Sequence, residues 1–282
     1  MARMRIYGLD FTSAPSRKKP LQAVGCSFDG DFLRPESLEE KMIGFSTFEE
    51  FLRKPGPWVC GMDFPFGQPK RWVRDLGWPA SWEGYVKTVA KMSKEDFEAI
   101  VREYSRTQSE GNKLPKRLVD RRAGAQPPMK LDFIPVGKMF FQGAPRLLKA
   151  DVSVRPCRPT DNAKTVIESY PALVARRFLG ERSYKSDTRK KQTDVQRAAR
   201  EKLVTGLRSA TLEKSYGFVV EMNSSWQEKL IREPAADTLD SLLCAVQAAW
   251  AYTKRDEGWG VPEDCDRDEG CMLDPQLLAG DG

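Results

Sequence analysis

The sequence predicts an α/β protein on a mixed sheet, with a three-stranded antiparallel meander extended by parallel strands. Three observations predict it. Two apolar runs and the start of a third lie within the first 34 residues, joined by turn signals. A helix-forming stretch then leads to a fourth apolar run, the order of a parallel crossover. Three of the runs, IYGLD, VCGMD and TVIE, end on a carboxylate, at Asp10, Asp63 and Glu168.

The first strand is MRIYGLD, Met4–Asp10. LQAVGCSF at 21–28 is the second, and Asp29-Gly30-Asp31 turns the chain into a third that begins at 32–34. Ser46-Thr47-Phe48-Glu49 has the pattern of a capping box opening a helix over 47–53. Lys54-Pro55-Gly56-Pro57 ends it, and WVCGMDF at 58–64 is a short, buried strand. The region 69–159 reads as an insertion, helical in pieces over 81–104. Five prolines within 113–146 make that part mostly loop. The core pattern resumes with TVIES at 165–169, a helix over 171–179 and a polar helix over 194–207. Phe218-Val219-Val220 is ambiguous between strand and helical packing. DTLDSLLCAVQAAWAY at 237–252 has Leu239, Leu242, Leu243, Val246 and Trp250 at helical spacing. The chain reads as a single domain over 1–282, with an acidic tail from about 255.

Composition narrows the chemistry. The chain has no histidine, which removes Ser-His-Asp and Cys-His catalysis and nearly all zinc enzymes. Its six cysteines show no CxxC pair and read as reduced thiols. No stretch approaches the roughly 18–20 apolar residues of a membrane span. The opening residues lack the order of a signal peptide, so a cytoplasmic protein is expected. Net charge is +6, unevenly spread: 113–146 carries eight Lys/Arg against two Asp, and 176–202 carries ten against four acids. Such stretches suit an anionic partner such as nucleic acid, or a solvated surface.

The acids at strand ends matter most. In open α/β sheets, sites form outside the carboxyl ends of strands, where strand order switches. A meander followed by crossovers puts the first strand beside the fourth, and Asp10 beside Asp63. Strands lie about 4.8 Å apart, so two carboxylates there repel unless a cation lies between them. Asp237 and Asp240 share a face in the first turn of the last helix, where a cap with a dipole-favoured acid explains the pair about as well as a functional site does. Asp10 and Asp63 are each also compatible with turn caps, and Glu168 with an arginine pair.

These motifs resemble the ribonuclease H-like superfamily: an Asp ending strand one, an acid ending strand four, and DxxD opening a final helix. DTLDSLLCA is similar to the last helix of RuvC-type resolvases. The fuller set resembles the predicted RNase H-like nuclease family, domain of unknown function 429. It comprises GLDFTSAP at 8–15, GMDFPFG at 61–67, PVGKMFFQGAPRLL at 135–148, IESYPALVARRFLG at 167–180 and DTLDSLLCA at 237–245. The resemblance implies a ribonuclease H-like sheet and a nuclease using Mg²⁺ or Mn²⁺. It places Asp10 as a bridge between two metals, Asp63 as the strand-four acid, and Asp237 and Asp240 closing the site. Glu168 would be a ligand, an outer group or a substrate contact.

In the insertion, Arg121, Arg122, Lys130, Lys138 and Arg146 accompany Phe140 and Phe141, a composition suited to phosphates and stacked bases. Lys185 and the run Arg189-Lys190-Lys191 add further cations. Two other functions stay open. One is a non-catalytic nucleic-acid or protein-binding module on the same fold. The other is an actin-like or sugar-kinase-type ATP-dependent enzyme, although GLDFTSAP lacks the glycine-rich phosphate turn that class requires.

Overall fold

The computed structural model describes residues 3–39, 41–186 and 192–278. Seven strands form one sheet in the order β5-β6-β4-β1-β2-β3-β7. The meander is β1 (Met4–Asp10), β2 (Gln22–Phe28) and β3 (Phe32–Leu38), antiparallel throughout. β4 (Trp58–Met62) runs parallel to β1 on its other side, and β6 (Lys164–Glu168) runs parallel to β4. This is the mixed sheet expected of a ribonuclease H-like fold. β5 (Ser153–Arg155) and β7 (Val219–Val220) add parallel edges.

Every residue of β2 and β4 is buried. A central strand covered on both faces reads as a continuous apolar run, which is why these strands were visible. The two faces build two apolar cores. Ile6, Val24, Val59 and Ile167 pack with α7 (Pro171–Leu179), α8 (Asp194–Gly206), α9 (Ala210–Tyr216), α10 (Ser224–Arg232) and α11 (Asp237–Thr253). Tyr7, Leu9, Cys60, Met62 and Val166 pack on the other face. There they meet α1 (Phe45–Leu52), α2 (Lys70–Asp75), α3 (Trp82–Val89), α4 (Lys94–Thr107) and α6 (Val136–Lys149).

Several elements differ from expectation. α1 starts before the expected capping box: its N-cap is Gly44, and Thr47 Oγ1 donates to the Gly44 carbonyl. The stretch 113–146 is not mostly loop, since it holds α5 (Leu118–Arg122) and most of α6. Pro135 stands at the N-cap of α6 and Pro145 lies inside it. Gly143 meets the Phe64 ring so closely that a Cβ there would lie 2.3 Å from it. That packing holds α6 against the sheet despite its proline. The inserted region returns to the sheet as β5, and residues 218–220 resolve into β7. The acidic tail is folded back. Asp264 pairs with Arg122, Asp266 pairs with Lys70, and Asp268 accepts the Trp82 N–H at 2.8 Å. Beyond them Cys271 and Leu273 are buried, with Leu273 N–H donating to the Glu168 carbonyl. The six cysteines are free thiols. Among the described residues, no helix is long and apolar enough to cross a membrane.

Candidate acidic site at the strand ends

The β1–β4 register brings Asp10 and Asp63 together. Gly8 is paired with Gly61 and Leu9 with Met62, so the next pair is Asp10 and Asp63. The Asp63 N–H donates to the Leu9 carbonyl at 3.0 Å and continues the ladder past β4. Side chains alternate along a strand. Asp10 therefore shares a face with Ile6 and Gly8, and Asp63 with Val59 and Gly61, the face that α11 covers.

The glycine pair sets the height of α11. A Cβ on Gly8 would lie 1.8 Å from the Ser241 carbonyl oxygen and 2.3 Å from Ala245 N. A Cβ on Gly61 would lie 2.3 Å from the Cys244 oxygen. Backbone thus rests on backbone, which only glycine allows. Ser241 Oγ fixes the crossing by donating to the Gln22 carbonyl at 2.9 Å, and Gln22 is the β2 partner of Asp10. Asp237 stands one helical turn before Ser241 and Asp240 immediately before it, and two residues beyond Gly8 and Gly61 stand Asp10 and Asp63. The steps to Asp237 and to the two strand-end acids are each roughly 5–7 Å, so the helix start overhangs the strand ends.

The electrostatics follow from that convergence. Burial, then the Asp240 carboxylate, push the Asp10 carboxyl well above its ordinary value against the pull of Lys185, with Asp63 and Asp237 adding to the rise. Asp63 is pushed up to about 7 by burial, with Asp240 and Glu168 reinforcing and Lys185 opposing. Asp240 is fully buried. One of its oxygens accepts the Tyr184 hydroxyl at 2.5 Å, and the other accepts the Lys185 ammonium. Burial works against the charge on Lys185, yet Asp240 and Asp10 hold it above the usual lysine value. Arg200 Nη1 donates to the Tyr184 carbonyl and Gln196 Nε2 to that of Lys185, so α8 clamps this segment.

Glu168 stands apart from this group. Along β6 it shares the parity of Val166, which packs on the opposite face from α11. The Arg117 guanidinium holds both its oxygens, at 2.5 and 2.9 Å, and the Phe66 N–H donates to one of them. Arg117 also grips Asp120 at 2.7 Å, and all three side chains are at most 1% exposed. Even so, burial leaves Glu168 above its ordinary value. The expected arginine pair is the observed one.

The basic candidates of the insertion are engaged elsewhere. Arg122 pairs with Asp264, Lys138 with Glu98 at 3.3 Å, and Arg146 with Glu49 at 3.2 Å. Lys130 donates to Gln126, and Arg121 to the Lys116 carbonyl. Phe140 is fully buried and offers no stacking face, while Phe141 is half-buried against Phe97. Lys185 is the candidate cation that reaches the acids. Residues 189–191 lie outside the described residues. Sequence reasoning missed Tyr184 and Arg200, which stand in no periodic pattern. It also counted Arg117 only as surface charge, although Asp120 three residues on was a legible partner.

Carboxylate oxygens suit a hard divalent cation such as Mg²⁺ or Mn²⁺, and Asp10 and Asp63 are held above their ordinary range by burial first and neighbouring acids second. Among the described residues, however, no three acidic, cysteine or histidine side chains form a group ready to hold a metal. The Lys185 ammonium is bonded to Asp240 within the cluster.

A family model described as "Protein of unknown function (DUF429)" matches residues 43–267, a span that includes Asp63, Glu168, Asp237 and Asp240. No curated protein and no solved structure matches the chain.

Proposed function

The chain belongs to the DUF429 family, and from the geometry of its acids we propose that it is a metal-dependent nuclease of the ribonuclease H-like superfamily. It would hydrolyse phosphodiester bonds of DNA or RNA. The observation that carries this reading is the register pair Asp10–Asp63 under the acidic first turn of α11.

Asp10, Asp63, Asp237 and Asp240 would hold Mg²⁺ or Mn²⁺. A divalent cation held there would supply Lewis-acid polarisation of a phosphoryl oxygen and ease ionisation of a water. The protein's own contribution is placement. The glycine-seated helix fixes the spacing of the acids, and Tyr184 orients Asp240. Lys185, bonded to Asp240 and beside Asp63, would offer its ammonium to a phosphate oxygen of the substrate. Glu168, bound by Arg117 on the other face of the sheet, would hold the end of β6 in place.

One observation favours a second reading, a nucleic-acid-binding module without catalysis: both oxygens of Asp240 already have protein donors. One experiment separates the two. The purified protein and its Asp10→Asn variant are given Mg²⁺ or Mn²⁺ with labelled single-stranded, duplex and branched DNA and with RNA. The nuclease reading expects cleavage that the variant loses. Cleavage that survives the substitution overturns the site. Salt-sensitive binding with no cleavage favours the second reading.

A further inference from the structure

A cleft of about 370 Å³ opens beside the acids and shares Asp63 and Lys185 with them. Its size falls in the range of small-ligand sites, roughly 300–1,000 Å³, and suits one nucleoside. Its walls are largely apolar, with Ile134 and Met139 from the insertion and Ala172 from α7. Tyr170 also lines it, with the Arg176 guanidinium 5.6 Å from its ring centroid. Ser169, another lining residue, is 2% exposed, and its hydroxyl has no hydrogen-bond partner in the structure.

The rim carries a second, independent feature. Phe133, next to Ile134, is 100% exposed, the most exposed large apolar side chain among the described residues. Its φ of 63° lies in the left-handed region, which is unfavourable for a bulky residue. The turn is held by Ile134 N–H donating to the Asp132 carbonyl at 2.8 Å, and Arg102 pairs with Asp132. A fully exposed aromatic residue thus stands next in sequence to Ile134, which lines the apolar cleft adjoining the acids.

Resting on the nuclease reading, we infer that the substrate is a strand unpaired at the reacting phosphate: one base enters the cleft and its neighbour stacks on Phe133. Aromatic stacking accepts any base but needs a free face, and bases within a duplex offer none. Two phosphodiester-linked bases would span the cleft and its rim, with their phosphates toward Asp63 and Lys185.

The test measures binding of a labelled single-stranded oligonucleotide and of the same sequence as a blunt duplex in EDTA, and their cleavage in Mn²⁺. It uses the unaltered protein, Phe133→Ala, and Ala172→Trp, which fills the cleft. Urea midpoints confirm that the variants fold. The expected result is at least tenfold tighter binding of the single strand, with each variant losing about tenfold on the single strand and little on the duplex. Cleavage of duplex and single strand alike, with both variants silent, overturns this inference and leaves the nuclease reading standing. Absence of both binding and cleavage overturns both.

Discussion

Replacing Asp63 with Asn should stabilise the metal-free protein at alkaline pH, and the gain should shrink on acidification. Asp63 is pushed from 3.8 to about 7, by burial first and by Asp240 and Glu168 next, against the pull of Lys185. A carboxyl with a raised folded pKa holds its proton more tightly in the folded state. Its contribution to stability is intact below the unfolded value and is lost as pH climbs from about 4 to about 7. Three units at about 1.4 kcal/mol each set a ceiling of about 4 kcal/mol. Asp63 is only part-buried, so screening by solvent reduces the expected effect to about 1–2 kcal/mol. Asn has no proton to lose and shows no such slope. Urea unfolding in EDTA near pH 5 and near pH 8 reads the difference between the two proteins. It should grow in favour of the variant by about 1–2 kcal/mol at the higher pH. Adding Mn²⁺ near pH 8 should then stabilise the unaltered protein more than the variant. An equal difference at both pH values, or a variant less stable near pH 8, refutes the argument that burial, with Asp240 and Glu168 beside it, raises Asp63.

Three further substitutions test the supports. Gly8→Ala drives a methyl group into the Ser241 carbonyl and should cost about 1–3 kcal/mol in urea unfolding, and lifting α11 should also weaken Mn²⁺ binding. Arg117→Met leaves Glu168 and Asp120 buried without their cation and should cost about 3–5 kcal/mol. Adding Glu168→Gln should recover part of that loss, and no recovery would mean that Arg117 acts through packing alone. Lys185→Ala removes the ammonium bonded to Asp240 and should tighten Mn²⁺ binding by up to about tenfold near pH 8, read by calorimetry. Unchanged or weaker binding would show that Lys185 does not compete with the cation.

The central strands and the last helix were legible because burial leaves strong marks: a continuous apolar run in β4, and helical spacing along α11. The acids at the ends of β1 and β4 could be paired from strand order alone. The different position of Glu168 depends on parity, and parity is decided by which face of β6 each helix covers. β5 and β7 have three and two residues, too few for a periodic signal, and exist through pairing with distant strands. Tyr184 reaches Asp240 across 56 positions of sequence, a contact that no local pattern encodes. The insertion misled for a different reason: prolines that normally interrupt helices stand here at an N-cap and in a helix packed tightly on the sheet.

The glycine seat beneath α11 has a consequence for how the protein is made. Asp10 and Asp240 lie about 230 positions apart, so no short length of chain contains the acid cluster. On a ribosome the strands can pair early, but the groove over Gly8 and Gly61 stays uncovered until α11 has emerged. A polypeptide arrested before residue 237 would carry two of the four acids and no helix to position the rest. Timing is therefore built into the topology: the site is assembled only once an element made long after the strands has emerged, and a chain cut short before residue 237 has no means of forming it.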